Sequence, residues 1–212
     1  MDSTSYWLLF FSAAFAINIS PGPDIIYILS KTIAQGRKIG IASSVGVCTG
    51  ALFHVFAAAL GLSAILATSA LAFSIVKYIG AAYLIYLGIQ ALRSKGISFE
   101  SPKKEKEATV WKAFKQGVLI DILNPKVAIF FMAFLPQFIR PDMGSTSFQM
   151  LFLGFLVILV AVIVEFFIVI TASQTTHYFR NNQQSAIWLD RLLGSILIGL
   201  GIRLALMEND SS

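Results

Sequence analysis

Ser20-Pro21-Gly22-Pro23-Asp24 lies in the middle of an apolar run covering residues 6–33, and Asn124-Pro125-Lys126 in the middle of another covering 113–138. A proline inside a helix removes a backbone donor and clashes with the preceding turn, so each stretch predicts a break. Each run is long enough to cross a bilayer, for which about 20 apolar residues suffice. Spans broken at corresponding places in two halves of a chain point to a binding site near the membrane midplane.

Four more apolar runs lie around these two, at 39–66, 71–92, 148–172 and 187–207. Of the 212 residues, 57% are hydrophobic and 13% charged, where a soluble domain carries about 25% charged residues. The mean hydropathy is +0.77. This composition predicts an integral membrane protein with no room for a soluble catalytic domain. The runs are continuously apolar, whereas barrel strands would alternate. The predicted fold is an all-α membrane protein of six transmembrane helices, the first and fourth broken near the midplane. Residues 1–5 carry no positive charge, and the first run is too long for a signal-peptide core, so it is expected to stay as a helix. Cys48 is the one cysteine, which excludes an intrachain disulfide.

The net charge of +5 reflects topology and not nucleic-acid binding. Twelve Lys and Arg residues fall near three connections, around 31–38, 93–115 and 180–191; Lys77, Arg140 and Arg203 fall on the other side, and Lys126 inside a span. Positive residues collect in cytoplasmic loops, so both termini are expected outside the cytoplasm. Trp7, Trp111 and Trp188 stand near the starts of spans one, four and six, as interfacial anchors do.

Residues 1–93 and 111–212 read as two copies of a three-helix unit. Each begins with a broken span and ends with a glycine-bearing one, at Gly80 and Gly88 and at Gly194 and Gly201. Three spans is an odd number, so the copies must be inverted, as in many secondary transporters. Residues 94–110, with Pro102 and mixed charges, read as a solvated cytoplasmic linker. In the second span Gly46, Gly50 and His54 share one helix face. Small residues at this spacing let backbones approach closely. Packing within the monomer is the first reading, and a homodimer the alternative. His54 is either a core histidine bonded to a carbonyl or a proton carrier.

Ser20-Pro21 and Asn124-Pro125 both read as a helix N-cap followed by Pro at the first helical position. A new helix start exposes unpaired N–H groups and a partial positive charge. In hydrocarbon such groups must face a cavity or ligand, and two of them suit a carboxylate. Asp24, Asp121, Lys126 and Glu165 add charge to these regions. Ionisable residues at the bilayer centre cost about 2.5–3.5 kcal/mol each on insertion scales, which makes them functional suspects. The candidate substrate-binding set is therefore Ser20, Pro21, Gly22, Asp24, Asp121, Asn124, Pro125 and Lys126. The proton-coupling candidates are Asp121, His54 and Glu165. Asp121 comes first because the half-helix before it ends in unpaired carbonyls. A structural ion pair of Lys126 with Asp24 or Asp121 is the competing reading.

Several of these residues, with others, form an ordered pattern: Pro21-Gly22-Pro23-Asp24, Gly36-Arg37-Lys38-Ile39-Gly40, Gly46 and Gly50 with His54, Gly80 through Gly88, Asn124-Pro125-Lys126, Leu135-Pro136-Gln137-Phe138, and Leu200-Gly201-Ile202-Arg203-Leu204. The pattern resembles the LysE/RhtB family of bacterial amino-acid exporters, from about Asn18 to Leu206. The resemblance implies efflux of an amino acid or derivative across the bacterial cytoplasmic (inner) membrane, driven by proton antiport without a cofactor. Asp121 and Glu165 fall outside the recognised motif positions.

Divalent-cation efflux is the alternative function. Soft and borderline metals want Cys and His ligands, and Cys48, His54 and His177 are the whole supply. An intramembrane enzyme has little support, since there is no cysteine pair and no HExxH motif. A structural scaffold would leave four charged residues at span centres unexplained. Leucine-, threonine-, homoserine- and lysine-type cargoes would all meet the same breaks.

Overall fold

A computed structural model describes residues 3–62, 70–93, 109–174 and 183–206. Among these the chain is helical, with no strand. Helix α1 spans Ser3–Ile19 and α2 Pro23–Gln35, and the two are bent by 54° at the first break. Gly36 alone separates α2 from α3, Arg37–Ala57. Its φ of +83° is one that L side chains rarely adopt, and its N–H closes α2 on Thr32 O at 2.9 Å. A π-helical turn, Ala58–Leu62, extends α3. Helix α4 is Ala70–Leu92.

The second half starts with α5, Val110–Ile122, capped by Thr109 Oγ1 accepting from the Lys112 N–H at 3.2 Å. Helix α6, Pro125–Ile129, is bent from α5 at the second break and continues as a π turn, Phe130–Phe134, and a 3₁₀ turn, Leu135–Phe138. The bend between the two limbs is 48°. Helices α7, Thr146–Gln174, and α8, Gln183–Leu206, complete the described fold. By length and apolarity α3 with its extension and α7 can each cross a membrane, and so can each bent pair taken as one span. Helices α4 and α8 fall on the third and sixth predicted runs and pack on each other. A Cβ at Gly201 would lie 2.8 Å from the Ala81 carbonyl oxygen.

The all-helical membrane architecture agrees with the composition. Lys31 does not belong to a loop, contrary to expectation. One residue suffices to turn the chain at Gly36, so α2 runs on to Gln35 and Lys31 is a buried helical residue, its ammonium 5.9 Å from the Tyr27 ring centroid. Residues 94–108, His177 and Arg180 lie outside the described residues, as does the side chain of Trp188.

The two limbs of each broken span pack differently. Where α1 starts and the α6 limb ends, aromatic rings fill the core. Phe10 meets Phe138 edge-on at 5.3 Å, Tyr6 meets Phe138 at 5.5 Å, and Phe130 stacks on Phe134 at 5.1 Å. The Tyr6 hydroxyl donates to the Phe138 carbonyl at 2.8 Å. At the opposite end α3 lies directly on α5. A Cβ on Gly117 would come 2.5 Å from Ser43 O, one on Gly50 2.7 Å from Val118 O, and one on Gly46 would run into the Phe114 carbonyl. The Gly46/Gly50 face is therefore occupied within the monomer. Tyr27 ties α2 to the same end by donating to Ala113 O at 2.8 Å.

Candidate functional site

The first break has the shape its two prolines impose. A residue before proline is pushed out of the helical region. Ser20 precedes Pro21 and Gly22 precedes Pro23, so the chain runs extended between them, with Gly22 at φ −155°. Ser20 still donates its N–H to Ala16 O at 3.0 Å, which closes α1. The new helix begins two residues later than Ser20-Pro21 suggests, with Gly22 as N-cap and Pro23 at the first position, and without a side-chain cap. The second break follows expectation. Asn124 is the N-cap, its Oδ1 accepts from the Lys126 N–H at 3.1 Å, and Pro125 is the first helical residue.

An ion pair joins the breaks. Lys126 Nζ lies 2.7 Å from Asp24 Oδ2 and 3.0 Å from Oδ1, and it donates to the Ser20 carbonyl at 3.0 Å. An ammonium has three donors, and these are three acceptors. Both side chains are buried. Gly22 makes the space for them: a Cβ there would sit 2.5 Å from Asp24 Oδ1 and 2.8 Å from Lys126 Nζ. Of the two partners open to Lys126 in the sequence, the structure selects Asp24.

Asp121 stands in the last turn of α5, is 1% exposed, and its Oδ2 has no hydrogen-bond partner among the described residues. Its backbone carbonyl accepts from the Asn124 N–H at 2.9 Å and pairs with His54 Nε2 at 2.9 Å. A carbonyl can only accept, so His54 presents Nε2–H to it. His54 thus takes the carbonyl-bonded position, behind the break. Glu165 reaches in from α7, buried, with Oε2 accepting from the Ser44 hydroxyl at 2.7 Å and the Cys48 thiol at 3.4 Å.

Asp24, Asp121, Lys126 and Glu165 line one cavity, together with Asn18, Cys48 and apolar side chains from α1, α3, α6 and α7. Only about 20 Å³ of it can take the centre of a water molecule. One water fits such a space, and an amino acid does not. Ser20, Pro21, Gly22, Asn124 and Pro125 shape the breaks without lining the cavity. His54 is also outside the lining; it bonds to the Asp121 backbone and stacks at 6.4 Å on Phe131, which lines the cavity. Among the described residues no three His, Cys, Asp or Glu side chains converge in the manner of metal ligands.

Three contributors escaped the sequence reading. Asn18 lines the cavity and donates to Ala14 O at 2.8 Å and Val157 O at 3.4 Å, tying α1 to α7. Ser44 and Cys48 both hold Glu165. A signal existed for each: Asn18 is a polar residue deep in an apolar run, and Ser44 and Cys48 stand four apart on one helix face.

The profile of the LysE type translocator family matches residues 15–208. The homoserine/homoserine lactone efflux protein of Salmonella typhimurium is 33% identical over 75% of this chain and 76% of its own length. The uncharacterized membrane protein YrhP of Bacillus subtilis is 31% identical over 89% of this chain and 92% of its own. An uncharacterized membrane protein of Vibrio cholerae is 31% identical over 94% and 96%. No solved structure matches the chain significantly.

Proposed function

The chain belongs to the LysE type translocator family, and from that premise we propose that it exports a small amino acid or close derivative from the cytoplasm in exchange for protons. As a member it is a multi-pass membrane transporter and not an enzyme. The observation that carries the proposal is the convergence of Asp24, Asp121, Lys126 and Glu165, from four helices, on one cavity between the two breaks. Charges so placed are costly in a membrane, by about 2.5–3.5 kcal/mol each on insertion scales. The Asp24–Lys126 pair accounts for two of them. Among the described residues Asp121 and Glu165 have no ion-pair partner of their own, which suits exchange of a proton for a cargo. The cargo class follows the homoserine-type cargo named for the Salmonella relative.

Asp121 is the proposed proton carrier, because its Oδ2 has no partner to hold it in one charge state. Glu165 comes next; His54 falls behind both, since its Nε2–H is engaged. The breaks hold the cargo at the interface of two inverted three-helix repeats, residues 1–93 and 111–212. The protein sits in the bacterial inner membrane with both termini outside the cytoplasm, on the strength of Arg37, Lys38 and the positive residues near 93–115. A reporter that fluoresces only in the cytoplasm, fused within 94–110, should be bright; a dark fusion reverses the topology.

Reconstituted vesicles test the mechanism. Asp121→Asn should stop efflux driven by a proton gradient and spare exchange of labelled for unlabelled homoserine at equal concentrations. Survival of both removes Asp121 from coupling. Failure of both in a folded variant places it in binding.

A further inference from the structure

We infer that the site selects its cargo by an ammonium group and needs no carboxylate, so that amino-acid amides and small primary amines are cargoes alongside amino acids. The inference rests on the exporter reading above. It starts from what is already occupied. Lys126 is the one cation among the described residues lining the cavity. Its three donors face Asp24 Oδ1, Asp24 Oδ2 and the Ser20 carbonyl. A cargo carboxylate would have to take Lys126 away from Asp24 and leave that carboxylate buried alone, which is strongly unfavourable.

The helix starts offer an anion little more. At the second break Asn124 Oδ1 already caps the Lys126 N–H at 3.1 Å. At the first, Pro23 has no N–H, and Asp24 sits in the first turn, so a protein carboxylate already meets the positive helix end.

The unfilled capacity is of the opposite sign. Asp121 is buried, lines the cavity, and leaves Oδ2 without a partner. Glu165 lines the same cavity from α7 and, among the described residues, receives a hydroxyl and a thiol. An ammonium brings three donors and the missing positive charge to these carboxylates. A cargo carboxylate would be a fourth carboxyl group beside three. The other walls include Val47, Phe130 and Val157, which suit a short apolar or weakly polar body. An ester or amide carbonyl enters such walls at less cost than an ionised carboxylate.

The test is thermal unfolding of the purified full chain with two matched sets of compounds. One set is L-homoserine, its amide and 4-hydroxybutyrate; the other is L-leucine, its amide and 4-methylpentanoate. The amino acid and amide of at least one set should raise the midpoint, the amide by at least as much, because ligands of the folded state stabilise it. The deaminated acids should leave it unchanged. These wild-type data decide the charge requirement without any variant. Glu165→Gln should then weaken the amide's apparent affinity at least tenfold. If the amino acids and deaminated acids shift the midpoint and the amides do not, the inference falls and the exporter reading stands. If none of the six compounds shifts it, both fall.

Discussion

Rings close one end of this molecule and glycines close the other. At the ring end, Phe10, Phe134, Phe138 and Tyr6 fill the space between α1 and the α6 limb, and Arg140 lies 4.0 Å from the Tyr6 ring centroid. At the glycine end, Gly46, Gly50 and Gly117 bring the backbones of α3 and α5 together. Rings can leave a path by rotating their side chains. A backbone seam opens only if a whole helix moves. The two ends therefore need not open by the same motion. The Asp24–Lys126 pair is the pivot between the ends, because it ties the start of α2 to the start of α6.

Breaking that pivot should have the largest effect. Lys126→Ala leaves Asp24 buried and unpaired, a loss of about 3–5 kcal/mol by comparison with other buried pairs. It should abolish efflux and lower the unfolding midpoint in detergent. Asp24→Asn combined with Lys126→Met removes both charges and should restore much of the midpoint without restoring transport. Transport by the double variant would show that the pair only holds the ends together.

The pairing itself was only half legible in the sequence. The proline breaks, the Asn124 cap and the apolar runs are local patterns, and local rules found them. The choice of Asp24 over Asp121 as partner for Lys126 joins residues 102 apart in the chain, and the Ser44–Glu165 bond joins residues 121 apart. No local rule ranks such partners; the packing of α2, α3 and α7 around the breaks does. The start of α2 was misplaced for a different reason. Pro21 and Pro23 are equally good first residues of a helix, and the extended backbone they jointly force decides between them. Lys31 falls in a helix and not a loop because the single residue Gly36 turns the chain.

The glycine seam comes next in expected size. Gly46→Ala places a methyl group against the Phe114 carbonyl, with backbone and no flexible side chain in the way. Overpacking of this kind costs about 1–3 kcal/mol. The midpoint should fall, and transport and exchange should fall together, since the helices can neither close fully nor move as before. Unchanged stability would mean that α3 and α5 pack less closely than their backbones indicate, and the contrast with the ring end would lose its basis.

Tyr6→Phe should have the smallest effect on stability and the more informative effect on rate. It keeps the ring against Phe138 and under Arg140 and removes only the hydroxyl donated to the Phe138 carbonyl. One such bond is worth about 0.5–1.5 kcal/mol net. If the rings open during each cycle, that bond holds the closed form specifically, and losing about 1 kcal/mol shifts the closed–open balance roughly fivefold. Homoserine exchange in vesicles should then speed up where opening at this end limits the rate, while the midpoint barely moves. Gly46→Ala should show the reverse pattern, a lower midpoint and slower exchange. A Tyr6→Phe midpoint as low as that of Gly46→Ala, with no gain in exchange, would make the rings ordinary core. Both ends would then open by helix motion alone.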